Sequence, residues 1–368
     1  MKQRKGIVCG LAVLAMALHP LGAEAQSLNI SGTAGGAGLA GEVQPQGAAS
    51  LSYTHSDAMG RGHIFSAVAG IGYAALGYGV PTPVGLIMAQ TVFAPIATEY
   101  REIEDGREAR FAMDAPLYRA GIGLLIPTAA VTVSASSAVE LRNWQTTSSL
   151  YTAPADRIAL DNTLDLQYRV RNRPWSTNRL AADAGWTFSG RYRSLFRPGY
   201  QEWGAANDRI THDGAAQQQV VVGGALVLPV GGDAPWAAVG MAMQQEWAVN
   251  PYRRDRPRYG QPQSPQAVGV SGYAPESLPG ETVNAATLSV DLPVGEAMLL
   301  GLRFDWLHRH DDAEDERRGV GASVQALVGN AGRFDLALGV AVNPHEGVDL
   351  PLAGSLTWSR NINLGGNR

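Results

Sequence analysis

The chain has almost no cysteine and almost no lysine. Its one cysteine is Cys9, and its only lysines are Lys2 and Lys5. Disulfide scaffolding, thiol nucleophiles, cysteine-held metals and lysine Schiff bases are therefore excluded from everything beyond the first residues. Long apolar runs are also missing. Beyond residues 6–18 nothing approaches the roughly 20 residues that a membrane-spanning helix needs. No G-x-S-x-G element occurs, and His55, His63, His212, His308, His310 and His345 lie in no nucleophile motif. No catalytic residue, metal site or cofactor is expected, and the chain is not read as an enzyme.

What is present begins with an export signal. Lys2, Arg4 and Lys5 precede the uncharged run 6–18, which is followed by Ala23-Glu24-Ala25. A basic start, an apolar stretch and an A-x-A site predict a signal peptide over residues 1–25, cut after Ala25. The run is too short for a membrane anchor, and Cys9 sits too early for lipid attachment. Cleavage takes the net charge from −4 to about −6 and removes the cysteine and both lysines. An exported acidic chain is not expected to bind nucleic acid. The 44 glycines, 8 tryptophans and 12 tyrosines are spread along the sequence. With no membrane helix, that composition favours an outer-membrane barrel over a soluble periplasmic domain.

The strongest pattern is alternation. Leu352, Gly354, Leu356, Trp358, Ile362 and Leu364 occupy every second place, broken once by Arg360, with small or polar residues between them. A strand sends successive side chains to opposite faces, so this segment has one apolar and one wettable face. It is long for a soluble strand and suits a tilted crossing of a bilayer. Matching runs occur at Phe334 to Val342, Leu300 to Trp306, Ala286 to Leu292, Leu164 to Val170 and Val131 to Leu141. The predicted fold is all-β, a transmembrane antiparallel barrel of about 12–16 strands. Residues 49–368 are assigned to it, and residues 26–48 to an N-terminal segment of uncertain structure.

Three turns share an apolar-Pro pair: Ile126-Pro127, Leu228-Pro229 and Leu292-Pro293. Proline removes a ladder donor, so these are placed at short periplasmic turns. Longer charged segments at 101–110, 146–157, 171–179, 191–214, 250–281 and 308–318 are expected as outer loops.

Several fragments carry a family resemblance. Gly269-Val270-Ser271-Gly272-Tyr273, then Leu278-Pro279-Gly280-Glu281 and the strand at 284–293, resemble the barrel domain of surface-antigen assembly proteins and two-partner-secretion transporters. Leu302-Arg303-Phe304-Asp305 resembles that family's next strand, Gly332 to Ala337 its penultimate strand, and Leu51 to His55 with Gly60-Arg61-Gly62 its first hairpin. The resemblance implies a long loop at 250–281 folded into the lumen, with Ser271, Gly272 and Tyr273 as the loop motif. It also implies transport or assembly of a secreted or membrane-protein client at the outer membrane. Three departures stand out. Ser271 replaces the family's loop arginine, so an Arg–Asp contact from loop to Asp305 is not expected. Residues 26–48 leave no room for POTRA domains. The sequence closes on Gly365-Gly366-Asn367-Arg368 rather than an aromatic.

Candidate site residues follow from strand phase and charge. Asp165, Arg169, Arg171, Asp183, Arg303, Asp305, Arg333 and Asp335 are expected as lumen charges. They set ion selectivity in an open barrel or pair into a plug in a narrow one. Arg253, Arg254, Arg256 and Arg258, flanked by Tyr252 and Tyr259, form a possible anionic-ligand loop, for instance for lipopolysaccharide phosphates. The cluster His308-Arg309-His310 with Asp311 to Glu316 reads as a charged outer loop rather than a metal site. Outer-membrane lipid and lipopolysaccharide are the expected surroundings. A passive porin and a ligand-binding barrel are the alternative functions.

Overall fold

Apolar residues at every second position, with β-branched and aromatic types enriched, form strands that pair edge to edge until no edge is left. A computed structural model describes residues 26–39, 42–58, 61–94, 100–104, 107–114, 117–143, 145–146, 151–152, 157–171, 174–198, 201, 203–205, 208–210, 216–249, 258–259, 268–271, 273, 278–279, 281–310, 314–329, 332–343 and 352–363. Sixteen strands close into one antiparallel barrel. They are β1 Gln26–Leu39, β2 Glu42–Ala58, β3 His63–Gly70, β4 Tyr73–Thr82, β5 Gly85–Ala94, β6 Leu117–Pro127, β7 Val131–Arg142 and β8 Ile158–Arg171. They continue as β9 Gly185–Phe196, β10 Ala216–Val230, β11 Ala237–Val249, β12 Thr282–Val294, β13 Met298–His310, β14 Glu314–Val328, β15 Gly332–Ala341 and β16 Leu352–Asn363. Every neighbour in sequence is a neighbour in space, and β1 pairs with β16 from Ser27↔Asn363 to Ala37↔Ala353. Closure removes the unpaired edge that would otherwise present free N–H and C=O groups.

The pleat separates two chemistries. On β13, Leu302 and Phe304 point out and are 57% and 44% exposed, whereas Asp305 points in and is fully buried. Met243, Leu336, Leu338, Val340 and Leu356 share the outer face. Glu140, Asp161, Gln217, Glu246 and Gln325 are buried inside. Leaving such apolar side chains in water would cost about 1.5–3 kcal/mol each, so this inside-out arrangement stands only with lipid outside.

The short β4–β5, β6–β7, β10–β11, β12–β13 and β14–β15 turns lie at one end, together with the start of β1 and the end of β16. The β10–β11 and β12–β13 turns use Gly231, Gly232 and Gly295 at positive φ of 119°, 64° and 62°, backbone that a side chain resists. The long connections 94–117, 142–158, 196–216 and 249–282 lie at the opposite end, as the charge pattern predicts.

Three expectations change. The barrel starts at Gln26, so residues 26–48 are β1 and part of β2 rather than a separate segment. Their glycines and small side chains blur the alternation that marks the later strands. Residues 308–318 are mostly wall: β13 runs to His310 and β14 starts at Glu314, with Arg309 paired across to Asp315. Opposite charges meet across the ladder here and extend the strands instead of ending them. Finally, 171–179 belongs to the short-turn end, because β8 ends there. Its arginines suggested an outer loop, but Trp175 and Asn178 fold it inward. The predicted signal peptide, residues 1–25, lies outside the described residues.

Candidate functional site in the barrel lumen

Asp305 is the centre of the site. Strand β13 aims it inward, with Thr287 of β12 and Gly319 of β14 directly beside it. Arg303 sits two residues earlier on the same face and binds both carboxylate oxygens. Its Nη2 donates to Oδ1 at 2.6 Å, and its Nε lies 2.9 and 3.0 Å from Oδ1 and Oδ2. Thr287 Oγ1 donates to Oδ1 at 2.7 Å. A carboxylate with this many charge-assisted donors tolerates complete burial.

The long β11–β12 connection brings one more donor set. Ser271 N donates to Asp305 Oδ2 at 3.0 Å and Ser271 Oγ at 2.5 Å. The loop therefore reaches Asp305 through Ser271, without an arginine of its own. Serine is short, so its backbone must come right up to the wall, and the wall allows this with glycines. A Cβ on Gly319 would fall 2.1 Å from Ser271 O, and one on Gly321 would fall 2.6 Å from Ser271 Oγ. The guanidinium is supplied by Arg303 from the strand instead of from the loop.

Apolar contact fixes the loop beside this hydrogen-bonded point. Val270 and Tyr273 pack with Val283, Ala285, Leu307 and Ala341, all buried. Tyr273 Oη donates to the Asn343 carbonyl at 2.5 Å. Asn343 in turn ties into β14, donating from Nδ2 to Glu316 O and accepting Arg318 N at Oδ1. Burial, opposed by Arg317, pushes the Tyr273 phenol up to about 12. Gly272 lies outside the described residues.

The other expected lumen charges are placed as follows. Arg333 Nε lies 2.9 Å from Asp335 Oδ1, and its Nη2 donates to Gln325. Asp165 pairs with Arg191 at 2.5 Å across β8–β9. Arg169 and Asp183 line a cavity near the short-turn end. Arg171 closes β8, and its side chain lies outside the description, as do those of Arg253, Arg254, Arg256 and Arg258. Of these four, Arg258 has its backbone described, in a two-stranded pairing with Pro279.

A second network had no counterpart in the sequence reading. Asp161, 1% exposed, bridges Arg119 at 3.3 Å and Arg193 at 2.8 Å. Glu140 joins Arg119 at 3.6 Å and Arg142 at 3.2 Å. Separately, Gln219 donates to Glu246, and in the charged 308–318 segment Asp315 holds Arg309 and Arg317. Strand phase is the signal that finds them: Asp161 has the parity of Asp165, and Glu140 stands between outward Val139 and Leu141.

No protein-family model matches this sequence, and no characterised protein is similar to it in sequence. In structure it is similar to BamA from Haemophilus ducreyi lacking POTRA domains 1–3, with TM-score 0.62 and 12% identity over 92% of this chain and 70% of that one. It is also similar to CdiB from Acinetobacter baumannii, with TM-score 0.60 and 9% identity over 92% and 60%. For CdiB from Escherichia coli the values are 0.57 and 9%, over 90% and 63%. This chain thus spans less than two thirds of either CdiB chain. At these identities the likeness is one of fold, and the fold is that of a sixteen-stranded outer-membrane barrel.

Proposed function

We propose that this chain is a transporter-type barrel of the surface-antigen and two-partner-secretion superfamily, acting in protein transport or assembly at the outer membrane. One observation carries the reading: a loop from the long-connection end enters the lumen and seats Ser271 on a buried Asp305. The short-turn end would face the periplasm, and the outer face would meet lipid and, near its long connections, lipopolysaccharide. The client would be a secreted or membrane polypeptide, delivered after export by the signal peptide. Arg253, Arg254, Arg256 and Arg258 belong to the same connection, and their guanidinium groups would suit phosphate.

Planar-bilayer recording tests the gated lumen. Small flickering currents are expected from the parent, rising when residues 253–270 are deleted. A steady large conductance from the parent would point to a porin. Silence from both, and also from a loop-deleted form in which Asn178 no longer holds the β12–β13 turn, would leave only a binding barrel. Comparing outer-membrane and secreted protein profiles with and without this protein tests the client class. Unchanged profiles would overturn transport or assembly.

A further inference from the structure

Among the described residues, the β8–β9 connection is the short-end segment that folds into the mouth of the barrel. Residues 174–184 leave β8 and cross beneath β10 and β11 to the β12–β13 turn, four strand steps of the sixteen. Trp175 packs with Ala181 and Ala184 of the segment and with Val227 of β10 and Ala238 of β11. Val227 and Ala238 have the phase of the lumen-facing Ala225 and Ala242, so the indole lies inside the wall. Its Nε1 donates to Ala182 O at 2.7 Å, which folds the segment back on itself.

Asn178 fastens the far end. It is 4% exposed and donates twice from Nδ2, at 2.7 Å each, to the carbonyls of Gly295 and Met298. Its Oδ1 accepts Leu180 N at 2.9 Å. Beside it Arg179 N donates to Glu296 O at 2.9 Å. Only a primary amide can give two donors to that turn and one acceptor back to its own segment.

Above this strap lies a cavity of about 570 Å³. Its walls include Arg169, Asp183, Thr287, Ser289, Asp291 and Gln325. These groups come from β8, β12, β14 and the strap itself. Small residues such as Gly240 and Ala242 fill the spaces between them. A ligand pocket concentrates its polar groups, whereas a polar space with small lining suits passage. Leu299, in the lumen phase of β13 and 2% exposed, also lines this space.

We propose that residues 174–184 are an inner gate, closed by the Asn178 clasp on the β12–β13 turn, and that the clasp must open for anything to pass the short-turn mouth. With the Ser271 loop at the other end, the lumen is then closed twice. The inference rests on the barrel and holds whatever its cargo, so it survives failure of the protein-transport reading.

The absence of cysteine from the chain beyond Cys9 makes the test clean. A Ser289→Cys reporter is placed in the cavity and treated with a charged thiol reagent, in detergent, with and without Asn178→Asp. The new carboxylate would face two carbonyl oxygens and release the strap. Labelling is expected to be slow in the parent and at least about tenfold faster in the Asn178→Asp protein, taking tenfold as about 1.4 kcal/mol. Equal rates, or rapid labelling of the parent, would overturn the gate. As a second arm, Arg179→Cys with Glu296→Cys joins residues whose backbones already hydrogen-bond. In a background lacking residues 253–270, current should be low while this disulfide is intact and rise on reduction. No change on reduction would refute the clasp even if Asn178→Asp does not fold.

Discussion

Replacing Gly319 with alanine would test whether the lumen loop is seated where Asp305 places it. The added Cβ would lie 2.1 Å from Ser271 O and 2.8 Å from Ser271 N, inside the 3.0 Å limit that Cβ contacts respect. Something must move. Strand β14 is held by β13 on one side and β15 on the other, so the loop is the element that gives way. Overpacking of this kind costs about 1–3 kcal/mol, or roughly 5- to 150-fold in the ratio of seated to released loop. Gly321→Ala is the graded control. Its Cβ would meet Ser271 Oγ at 2.6 Å and Arg303 Cγ at 3.0 Å, side-chain atoms that can rotate, so its effect should be smaller.

The readout is current through planar bilayers, together with thiol labelling at an Ala285→Cys reporter. Ala285 is 2% exposed beneath Val270 and Tyr273, so its labelling follows loop release directly. Gly319→Ala should raise both conductance and labelling rate, with Gly321→Ala between it and the parent. In a protein lacking residues 268–273, adding Gly319→Ala should change nothing. The reasoning fails if Gly319→Ala leaves labelling at the parent rate, or if it acts equally strongly without the loop.

Three further outcomes follow from the same geometry. Asp305→Ala leaves Arg303, whose side chain is 10% exposed, without its carboxylate; a loss of about 3–5 kcal/mol is expected, seen as a lower temperature of heat-modifiability, and Asp305→Leu with Arg303→Met should recover most of it. The Tyr273 phenol is raised by burial from 10.0 to about 12, so its contribution to loop seating is complete below pH 10 and is lost as pH rises through about 12; Ala285→Cys labelling should accelerate over that window and stay flat over it in a Tyr273→Phe background. Asp161→Asn removes the charge shared by Arg119 and Arg193; reversal potentials should shift toward anions if that network borders the conducting path, and an unshifted potential would place it outside the path.

The barrel was legible because lipid outside and polar lumen inside impose one strict alternation on every strand, visible as Leu302 and Phe304 against Arg303 and Asp305. The first strands were less legible: Gly35, Gly36 and Gly38 in β1 give neither face a side chain with which to declare itself. Asp305 and the Ser271 loop were marked by motif. The replacement of a loop arginine by Arg303 was not, because it requires knowing that Arg303 and Asp305 share a face with Thr287 across the ladder. Register is set by turns and closure together, and no single segment encodes it.

The exceptions to alternation carry the information that motifs missed. Val283 and Leu307 stand in the lumen phase yet are apolar and fully buried, and the loop lies over them through Val270 and Tyr273. Partly buried Val227 and buried Leu299 share that phase near the short-turn end, and there the strap packs Trp175 on Val227 and ties Asn178 to the turn just before Leu299. An apolar side chain facing a wet lumen loses about 1.5–3 kcal/mol of burial unless another segment covers it. A large apolar residue in the polar phase of a barrel strand thus points to a docked segment. Here Val283 and Leu307 lie under the loop, and Val227 and Leu299 lie by the strap at the opposite end of the lumen, while Leu195 on β9 and Tyr53 on β2 are further apolar residues buried on the inner face.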